Sequence, residues 1–427
     1  MRLLAATFTI KPLSFSQYSL PSHDEHSSDR PTASDSTSRK IVSKDIVAIT
    51  ASVLPNFSRV LVDTDRIVAA MTTISAQILT PTLRWKWFPQ NVTSHTLEIL
   101  KVMSRIPEAS KIWRKDVGDE FNDPRFFATK SFDLIESGWM PILRQYALLD
   151  KDRMPDLLAR ISAPASAGIV FGVGATSARL EADRRTQLNL RRIALLILSA
   201  DDDTFVVNMN GIQEKLAELM NATVASSPSS TTRTEVYMVL RALILKNAPV
   251  HLASLWPIVN GELHNALSSL RPEGTSDTYN VVSVLQAAKC LDTLLTISPD
   301  DFQLREWLYI TDTIDAVYRP SNWMPVALID GLAESLDKTA SVSRNPSVSH
   351  NANTHLVDSQ KGIRKPLLRW QFIQDVPTDG LVDQVLRPFL RQLSIHAFES
   401  TYQMEIGDRK ACCLELLHDL YDDGTLV

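Results

Sequence analysis

The sequence has few cysteines and no long hydrophobic run, and each absence restricts the class of protein. Its 427 residues include three cysteines, at Cys290, Cys412 and Cys413. Three cysteines, two of them adjacent, do not build a disulfide framework, so the composition predicts a protein of a reducing compartment, the cytosol. The most apolar run, Ile193 to Leu198, is only six residues long, whereas a membrane-spanning helix needs about 20. The sequence therefore predicts no membrane span.

The sequence also lacks an excess of positive charge. Its 44 lysines and arginines stand against 49 aspartates and glutamates, which gives a net charge of −5. Proteins that bind nucleic acid are usually basic over the binding domain. We therefore expect no nucleic acid among the partners.

Motifs that carry catalysis or bind cofactors are missing as well. Gly172 and Gly174 precede a predicted helix, but neither the third glycine of a dinucleotide turn nor the end of a phosphate loop follows them. No Gly-x-Ser-x-Gly elbow of a hydrolase occurs. Cys412, Cys413 and His418 fall short of the four ligands that zinc takes. The sequence predicts no catalytic residue, no cofactor and no metal site, and hence no enzyme.

What the sequence does contain is helical periodicity over most of its length. Apolar residues recur at the spacing of an amphipathic helix, for example in Asp65–Leu79 and Ser94–Ile106. Ser177–Ser199 has a charged first half and an apolar second half, which predicts a helix that runs from solvent into the core. The best strand candidate, Ala167–Val173, is short. The pattern predicts an all-α protein, an irregular α-solenoid or stacked helical array compatible with helix pairs of the HEAT kind.

Composition divides the chain into four parts. We predict a disordered N-terminus over residues 1–43, a helical array over 44–336, a flexible loop over 337–366 and C-terminal helices over 367–427. Much of the first and third parts is rich in Ser, Asn, Asp and Thr, and such segments bury too little apolar surface to fold. An organelle-targeting peptide over Met1–Leu20 is the alternative for the start of the chain.

A basic segment that also carries aromatic residues is the first candidate binding surface. Its cations are Arg84, Lys86, Lys101, Arg105, Lys111, Arg114 and Lys115. Trp85, Trp87, Phe88 and Trp113 lie among them. An exposed basic face of this kind docks on anionic lipid, where each cation contributes about 1 kcal/mol, or on single-stranded RNA. The structural alternative is a solvated helix face with its tryptophans in the core.

The second candidate is a short block in which a tryptophan precedes a proline. Trp256 and Pro257 are followed by Glu262 and Leu263. A large ring just before a helix-starting proline can pack back on the first turn of the helix. Related patterns begin at Trp139 and Trp323, at unequal spacings, so they form no strict repeat. We expect Trp256 to be buried and structural.

These blocks resemble the C-terminal region of the Dopey family. The most specific stretch runs from His251 to Leu263 and contains the Trp-Pro-x-x-x-x-Glu-Leu pattern. Further similar stretches are Asn122–Phe127, Trp139 with the helix after it, Leu190–Leu195, Val239–Leu245, Pro388–Leu393 and Phe398–Tyr402. The resemblance covers roughly residues 44 to 402.

The resemblance implies a non-enzymatic scaffold or adaptor in vesicle-mediated transport from endosome to Golgi, with a role in cell morphogenesis. It implies a cytoplasmic protein that is peripheral on the cytosolic face of Golgi and endosome membranes. The implied partners are a large scaffold related to Arf exchange factors and an aminophospholipid flippase. Family members are much longer and carry an N-terminal domain outside this sequence, as expected of a truncated gene model or a natural fragment. The alternative function is a helical binding module for RNA or nuclear-transport partners.

Overall fold

The computed structural model describes residues 45–61, 63–161, 173–221, 230–271, 278–310, 327–343 and 362–426. Most of these residues lie in helices, which confirms the all-α class and the stacked array. The chain divides into two units, residues 1–150 and 151–427, where the sequence predicted one array over 44–336. The predicted disordered segment 1–43, the strand candidate up to residue 172 and Trp323 lie outside the described residues.

Unit 1 consists of short helices around an aromatic core. They are α1 (45–53), α2 (Phe57–Val60), α3 (Thr64–Ile74), α4 (Thr80–Leu83), α5 (Ser94–Met103), α6 (Ser110–Asn122) and α7 (Met140–Leu149). Trp113, Phe126 and Trp139 are fully buried. Phe126 meets Trp139 edge to face, with ring centroids 5.0 Å apart, the geometry that aromatic pairs prefer.

Three helices widen into a π-helical stretch just before a proline. The stretches are Ser75–Leu79, Leu134–Trp139 and Val382–Leu386, and Pro81, Pro141 and Pro388 each follow two residues later. Proline lacks an N–H and clashes with the carbonyl four residues earlier, so the wider turn accommodates it without ending the helix.

The π-helical stretch at Leu134–Trp139 changes one prediction about unit 1. From the sequence, Phe132–Leu149 is predicted to be interrupted at Gly138 and to place Pro141 in the first turn of a helix. Pro141 does lie in the first turn of α7, but the chain stays helical through Gly138. A Cβ atom at Gly138 would overlap the side chain of Leu97 on α5. The glycine therefore serves close packing between two helices rather than a break in one.

Unit 2 contains longer helices and one very short sheet. The helices are α8 (Arg153–Ala159), α9 (Val173–Ser199), α10 (Met209–Asn221), α11 (Ser230–Lys246), α12 (Pro249–Leu252), α13 (Trp256–Ser268), α14 (Val281–Ile297), α15 (Asp300–Gln303), α16 (Leu328–Ser343), α17 (Trp370–Ile373), α18 (Arg387–Tyr402) and α19 (Arg409–Leu420). Strands β1 (Ile363–Arg364) and β2 (Ile406–Gly407) pair in parallel, with Ile363 opposite Ile406.

The centre of unit 2 is a row of three helices. α9 packs along α11, and α11 packs along α14. α10 and α13 come between them in the chain, and α13 packs on α14, so the elements alternate as helix pairs do in a solenoid. The C-terminal helix α19 contacts all three helices of the row. α9 runs from exposed Leu180 to buried Leu198, which confirms its predicted course from solvent into the core.

The predicted flexible loop 337–366 is partly ordered. α16 continues through residues 337–343, and Ile363 and Arg364 form β1, while residues 344–361 lie outside the described residues. Asp337, in this part of α16, forms an ion pair with Arg391 of α18 at 2.5 Å. Among the described residues, no helix has the length and hydropathy needed to cross a membrane.

Candidate functional site

The seven cations of the predicted basic face are distributed over three parts of unit 1. Arg84 and Lys86 follow α4, Lys101 and Arg105 lie at the end of α5, and Lys111, Arg114 and Lys115 lie on α6. Lys111 and Lys115 are both exposed. Because they are four residues apart on a helix, they project from the same side of α6.

Some of this positive charge is neutralised within the unit. Arg84 donates to Asp119 at 2.6 Å, and Lys101 lies 3.5 Å from Glu98. Arg114 donates to two backbone carbonyl oxygens. The cations that are exposed and form no ion pair with a described residue are Lys86, Arg105, Lys111 and Lys115. Binding of lipid by these residues stays a prediction.

The aromatic residues of the basic segment divide between core and surface. Trp113 and Phe88 are at most 1% exposed, so they belong to the core of unit 1. Trp87 is 47% exposed, and the ammonium of Lys86 lies 5.4 Å from its ring centroid, within cation–π range. Trp87 is therefore the aromatic residue of this segment that is best placed to join the cations at the surface.

Trp256 of the Trp-Pro block joins two elements of unit 2. Its side chain is 2% exposed, as expected. The indole Nε1 donates to Asp301 Oδ2 at 3.1 Å, and the ring centroid lies 6.3 Å from that of Phe302. Pro257 is exposed in the first turn of α13, where its missing N–H leaves no bond unmade. Trp256 therefore fixes the start of α13 against α15.

Glu262 of the same block ties α13 to α11. Its carboxylate accepts hydrogen bonds from Arg233, from Tyr279 at 3.1 Å and from Tyr237 at 3.4 Å. Burial, together with the Glu262 charge, raises the pKa of Tyr279 and keeps its hydroxyl protonated as a donor. Leu263 is fully buried beside it.

A groove of about 690 Å³ opens beside Glu262. Its wall includes Arg233, Pro257, His264 and Tyr279. Because Arg233 and Glu262 neutralise each other in this wall, the groove presents no unbalanced charge from this pair to a ligand. Among the described residues, the contacts of the Trp-Pro block are therefore those of a structural element.

A network of buried charges holds α19 against the central row of helices. Asp419 of α19 forms ion pairs with Arg241 of α11 and Lys289 of α14, both at 2.5 Å. All three side chains are at most 3% exposed. Burial acts to raise the pKa of Asp419, but the charges of Lys289 and Arg241 outweigh it and lower that pKa. Asp419 therefore stays ionised and keeps both cations paired.

Arg191 of α9 supplies the third cation of this network. Its guanidinium donates to the carbonyl oxygens of Leu420 and Asp422, at 2.9 and 2.8 Å. The last carbonyls of a helix lack partners within the helix and carry the negative end of its dipole. Arg191 also donates to Glu235 of α11 at 3.3 Å. Each helix of the row thus contributes one buried cation to the end of α19.

The chain segment around Leu368 and Trp370 is held by hydrogen-bond acceptors on α14 and α19. Asp292 of α14 accepts the backbone N–H of Leu368 at 2.8 Å. Glu415 of α19 accepts the N–H of Trp370 at 2.5 Å, and the Trp370 ring stacks on His418 with centroids 4.5 Å apart. The segment before α17 and the helix α19 are therefore fixed together on the row.

Sequence reasoning missed this buried network. Arg191 and Arg241 lie in stretches that carried the family resemblance, but no role was assigned to them. The available signal was a cation flanked on both sides by apolar residues, in a helix without a polar face, as in Val239–Leu245. A cation in such a place has to be buried, and buried charges are paired.

The pH dependence of stability should report on Glu235. Burial is the main cause that raises its pKa from 4.5 to about 7. Since the folded state binds this proton more tightly, the contribution is fully present below pH 4.5 and is lost as pH rises to about 7. Between pH 4.5 and about 7 we expect the wild type to lose on the order of 3 kcal/mol of stability relative to Glu235→Gln.

Urea unfolding of both proteins at several pH values measures this difference. Glu181→Gln, at an exposed glutamate of the same unit, is the control and should keep a constant difference from the wild type. A Glu235→Gln difference that is independent of pH would contradict the assignment.

Comparisons with known proteins place the sequence among one group. A family described as DOP1 C-terminal matches residues 1–403. Protein dop1 of Emericella nidulans is 46% identical over the whole chain. Protein DOP1 of Saccharomyces cerevisiae is 24% identical over 83% of the chain, and Protein DOP1B of Xenopus laevis is 26% identical over half of it. The chain spans 22% and 20% of the two fungal proteins and 10% of the frog protein. No solved structure matches.

Proposed function

The chain belongs to the DOP1 C-terminal family, and from this membership we propose that it is a non-enzymatic scaffold or adaptor in endosome-to-Golgi vesicle transport. The observation that carries the proposal is the 46% identity to a fungal Dop1 protein along the entire chain. The stacked helices support it physically, because helical arrays offer extended surfaces to protein partners.

The proposed location is the cytosolic face of Golgi and endosome membranes, with the protein bound peripherally. The proposed partners are a large scaffold related to Arf exchange factors and an aminophospholipid flippase, both of which follow from the family resemblance. The exposed cations of unit 1, which include Lys111 and Lys115, support contact with an anionic lipid surface.

Retrieval of a cargo protein from endosomes to the Golgi tests the transport role. In cells whose gene for this protein is disrupted, we expect the cargo to accumulate in endosomes and the reintroduced protein to restore its Golgi location. The tagged protein should also recover the scaffold or the flippase from the same cells. Normal cargo retrieval in the disrupted cells would argue against the proposal.

Charge reversal on α6 tests the lipid contact. We expect Lys111→Glu combined with Lys115→Glu to weaken co-sedimentation with phosphatidylserine vesicles by about tenfold or more, because each cation contributes about 1 kcal/mol near such a surface. Lys130→Glu changes an exposed cation of the same unit outside the basic segment and should have a much smaller effect. Lys130→Glu changes the net charge by half as much, so a free-energy loss half that of the double variant would point to net charge rather than to this surface.

The alternative, a helical module for RNA or nuclear-transport partners, is favoured by exposed Trp87 with Lys86 beside its ring. Single-stranded RNA stacks its bases on such rings. Competition separates the two: RNA that displaces the protein from the vesicles, with binding lost in Trp87→Ala, would favour the alternative. Binding that depends on lipid charge and resists RNA supports the transport scaffold.

A further inference from the structure

Unit 2 exposes an apolar side chain in the connection that follows each helix of the central row. Val207 follows α9, Val250 follows α11, and Leu304 and Trp307 follow α14. They are 90%, 74%, 74% and 59% exposed. We call these four residues the apolar edge.

Hydrogen bonds tie the first of these connections to the second and the second to the third. Asp203 donates its N–H to the Lys246 carbonyl at 2.9 Å, and its carboxylate accepts the N–H of Ala248 at 2.8 Å. Trp256 then reaches Asp301 at 3.1 Å, which links the second connection to the third. The apolar edge therefore lies on a fixed part of the fold, in the order of the helices α9, α11 and α14.

The fold of unit 2 gains little from these four side chains. A side chain that stays 74% or 90% exposed contributes little hydrophobic stabilisation, which scales with the area removed from water. Single exposed apolar residues are ordinary, but a repeated row of them marks an interaction surface. Trp307 strengthens this reading, because tryptophan is enriched among the residues that dominate binding energy at protein interfaces.

The polar residues around the apolar edge are mostly acidic. The connections carry six carboxylates, on Asp201, Asp202, Asp203, Asp300, Asp301 and Glu306. The cations of the connections are Lys246 and Arg305, and Lys246 is paired with Asp202 at 2.7 Å. Two arginines of other elements lie against them: Arg409 donates to the Leu245 carbonyl at 2.6 Å, and Arg364 lies near Glu306. The six carboxylates still outnumber the four cations. An anionic membrane, or the same surface of a second copy, would bring like charge to this edge. A basic partner would bring the opposite charge, which favours association.

We propose that the apolar edge binds an amphipathic basic segment of a partner protein, a helix with an apolar face flanked by Lys and Arg. Leucine-sized side chains of that helix would pack on Val250, Leu304 and Trp307, and its cations would lie near the surrounding carboxylates. The proposal rests on the scaffold function above and specifies the chemistry of one partner.

Fluorescence anisotropy with a defined probe tests the proposal on the purified full chain. The probe is a labelled Lys/Leu peptide of about 14 residues, roughly 21 Å long as a helix, with leucines on one face. Replacing Val250, Leu304 and Trp307 together by Ser should weaken its binding by about tenfold or more. These side chains are exposed, so the melting temperature should stay close to that of the wild type.

A matched variant controls for general loss of exposed apolar surface. Leu180, near the start of α9, and Ile395 and Tyr402, on α18, are 47%, 61% and 75% exposed, and replacing these three by Ser should leave binding within about twofold of the wild type. A peptide with Glu in place of Lys should bind much more weakly than the Lys/Leu probe.

Three results would overturn the proposal: equal losses in both triple variants, equal binding of the Glu/Leu peptide, or phosphatidylserine vesicles bound through the same three residues. Peptide binding by the purified chain does not depend on transport in cells. Failure here with normal cargo rescue would reject only this surface, whereas peptide binding without a transport phenotype would reject only the scaffold function.

Discussion

Replacing Asp419 with Ala is expected to lower the free energy of unfolding of unit 2 by about 3–5 kcal/mol. The substitution leaves Arg241 and Lys289 with no acidic partner at this position, and both are at most 3% exposed. A buried charge without its counter-ion bears the full cost of desolvation. The loss should therefore exceed the effect of removing an exposed carboxylate several-fold.

Urea unfolding measures this loss of stability. Hydrogen exchange of the amides in α9, α11 and α14 then shows whether the central row of helices is affected. Asp423→Ala, at an exposed acid of the same terminal segment, is the control and should change stability by at most about 0.5 kcal/mol. A combined variant in which Asp419 becomes Leu and both cations become Met should regain most of the stability, because an apolar set of similar volume removes the unpaired charges. A cost below about 1 kcal/mol for Asp419→Ala would contradict the role assigned to the network.

The helices were the part of the fold that the sequence predicted well. A periodic apolar stripe is a local signal, and α5 and α9 lie where the periodicity placed them. The course of α9 from solvent into the core was also readable, because its charged and apolar halves are separate in the sequence. The division into two units at residue 150 was missed, since it depends on which helices pack together and not on a composition change.

Two errors came from reading local signals without their tertiary partners. Gly138 was interpreted as an interruption, whereas it lies inside a π-helical stretch and packs against Leu97. Residues 337–343 were assigned to a loop because they are polar, whereas α16 continues through them and Asp337 pairs with Arg391 of α18. Both places contact a residue far away in sequence, Leu97 for Gly138 and Arg391 for Asp337, and local signals do not report such contacts.

The candidate sites were predictable to different degrees. Burial of Trp256 followed from its place before a helix-starting proline, and the structure confirms it. Its hydrogen-bond partner Asp301 lies 45 residues away and was not predictable from spacing. Charge counts located the basic segment, but they did not separate Lys111, which is exposed, from Arg84, which pairs with Asp119.

Trp256→Ala is expected to lower the free energy of unfolding of unit 2 by about 3–5 kcal/mol, the usual cost of deleting a buried large aromatic side chain. The side chain is 2% exposed and lies between the start of α13 and Phe302. Its removal leaves a cavity and also deprives Asp301 of the indole donor. Amide hydrogen exchange in α13 and α15 should accelerate first, because this ring fixes the two elements against each other.

Two further substitutions separate packing from hydrogen bonding at this position. Trp256→Phe keeps most of the ring but loses the bond to Asp301, so it should cost less than Trp256→Ala, with about 1 kcal/mol due to the bond. Trp307→Ala removes a tryptophan that is 59% exposed and should cost at most about 1 kcal/mol. Equal losses for Trp256→Ala and Trp307→Ala would mean that Trp256 does not hold α13 on α15, since burial is what distinguishes the two rings.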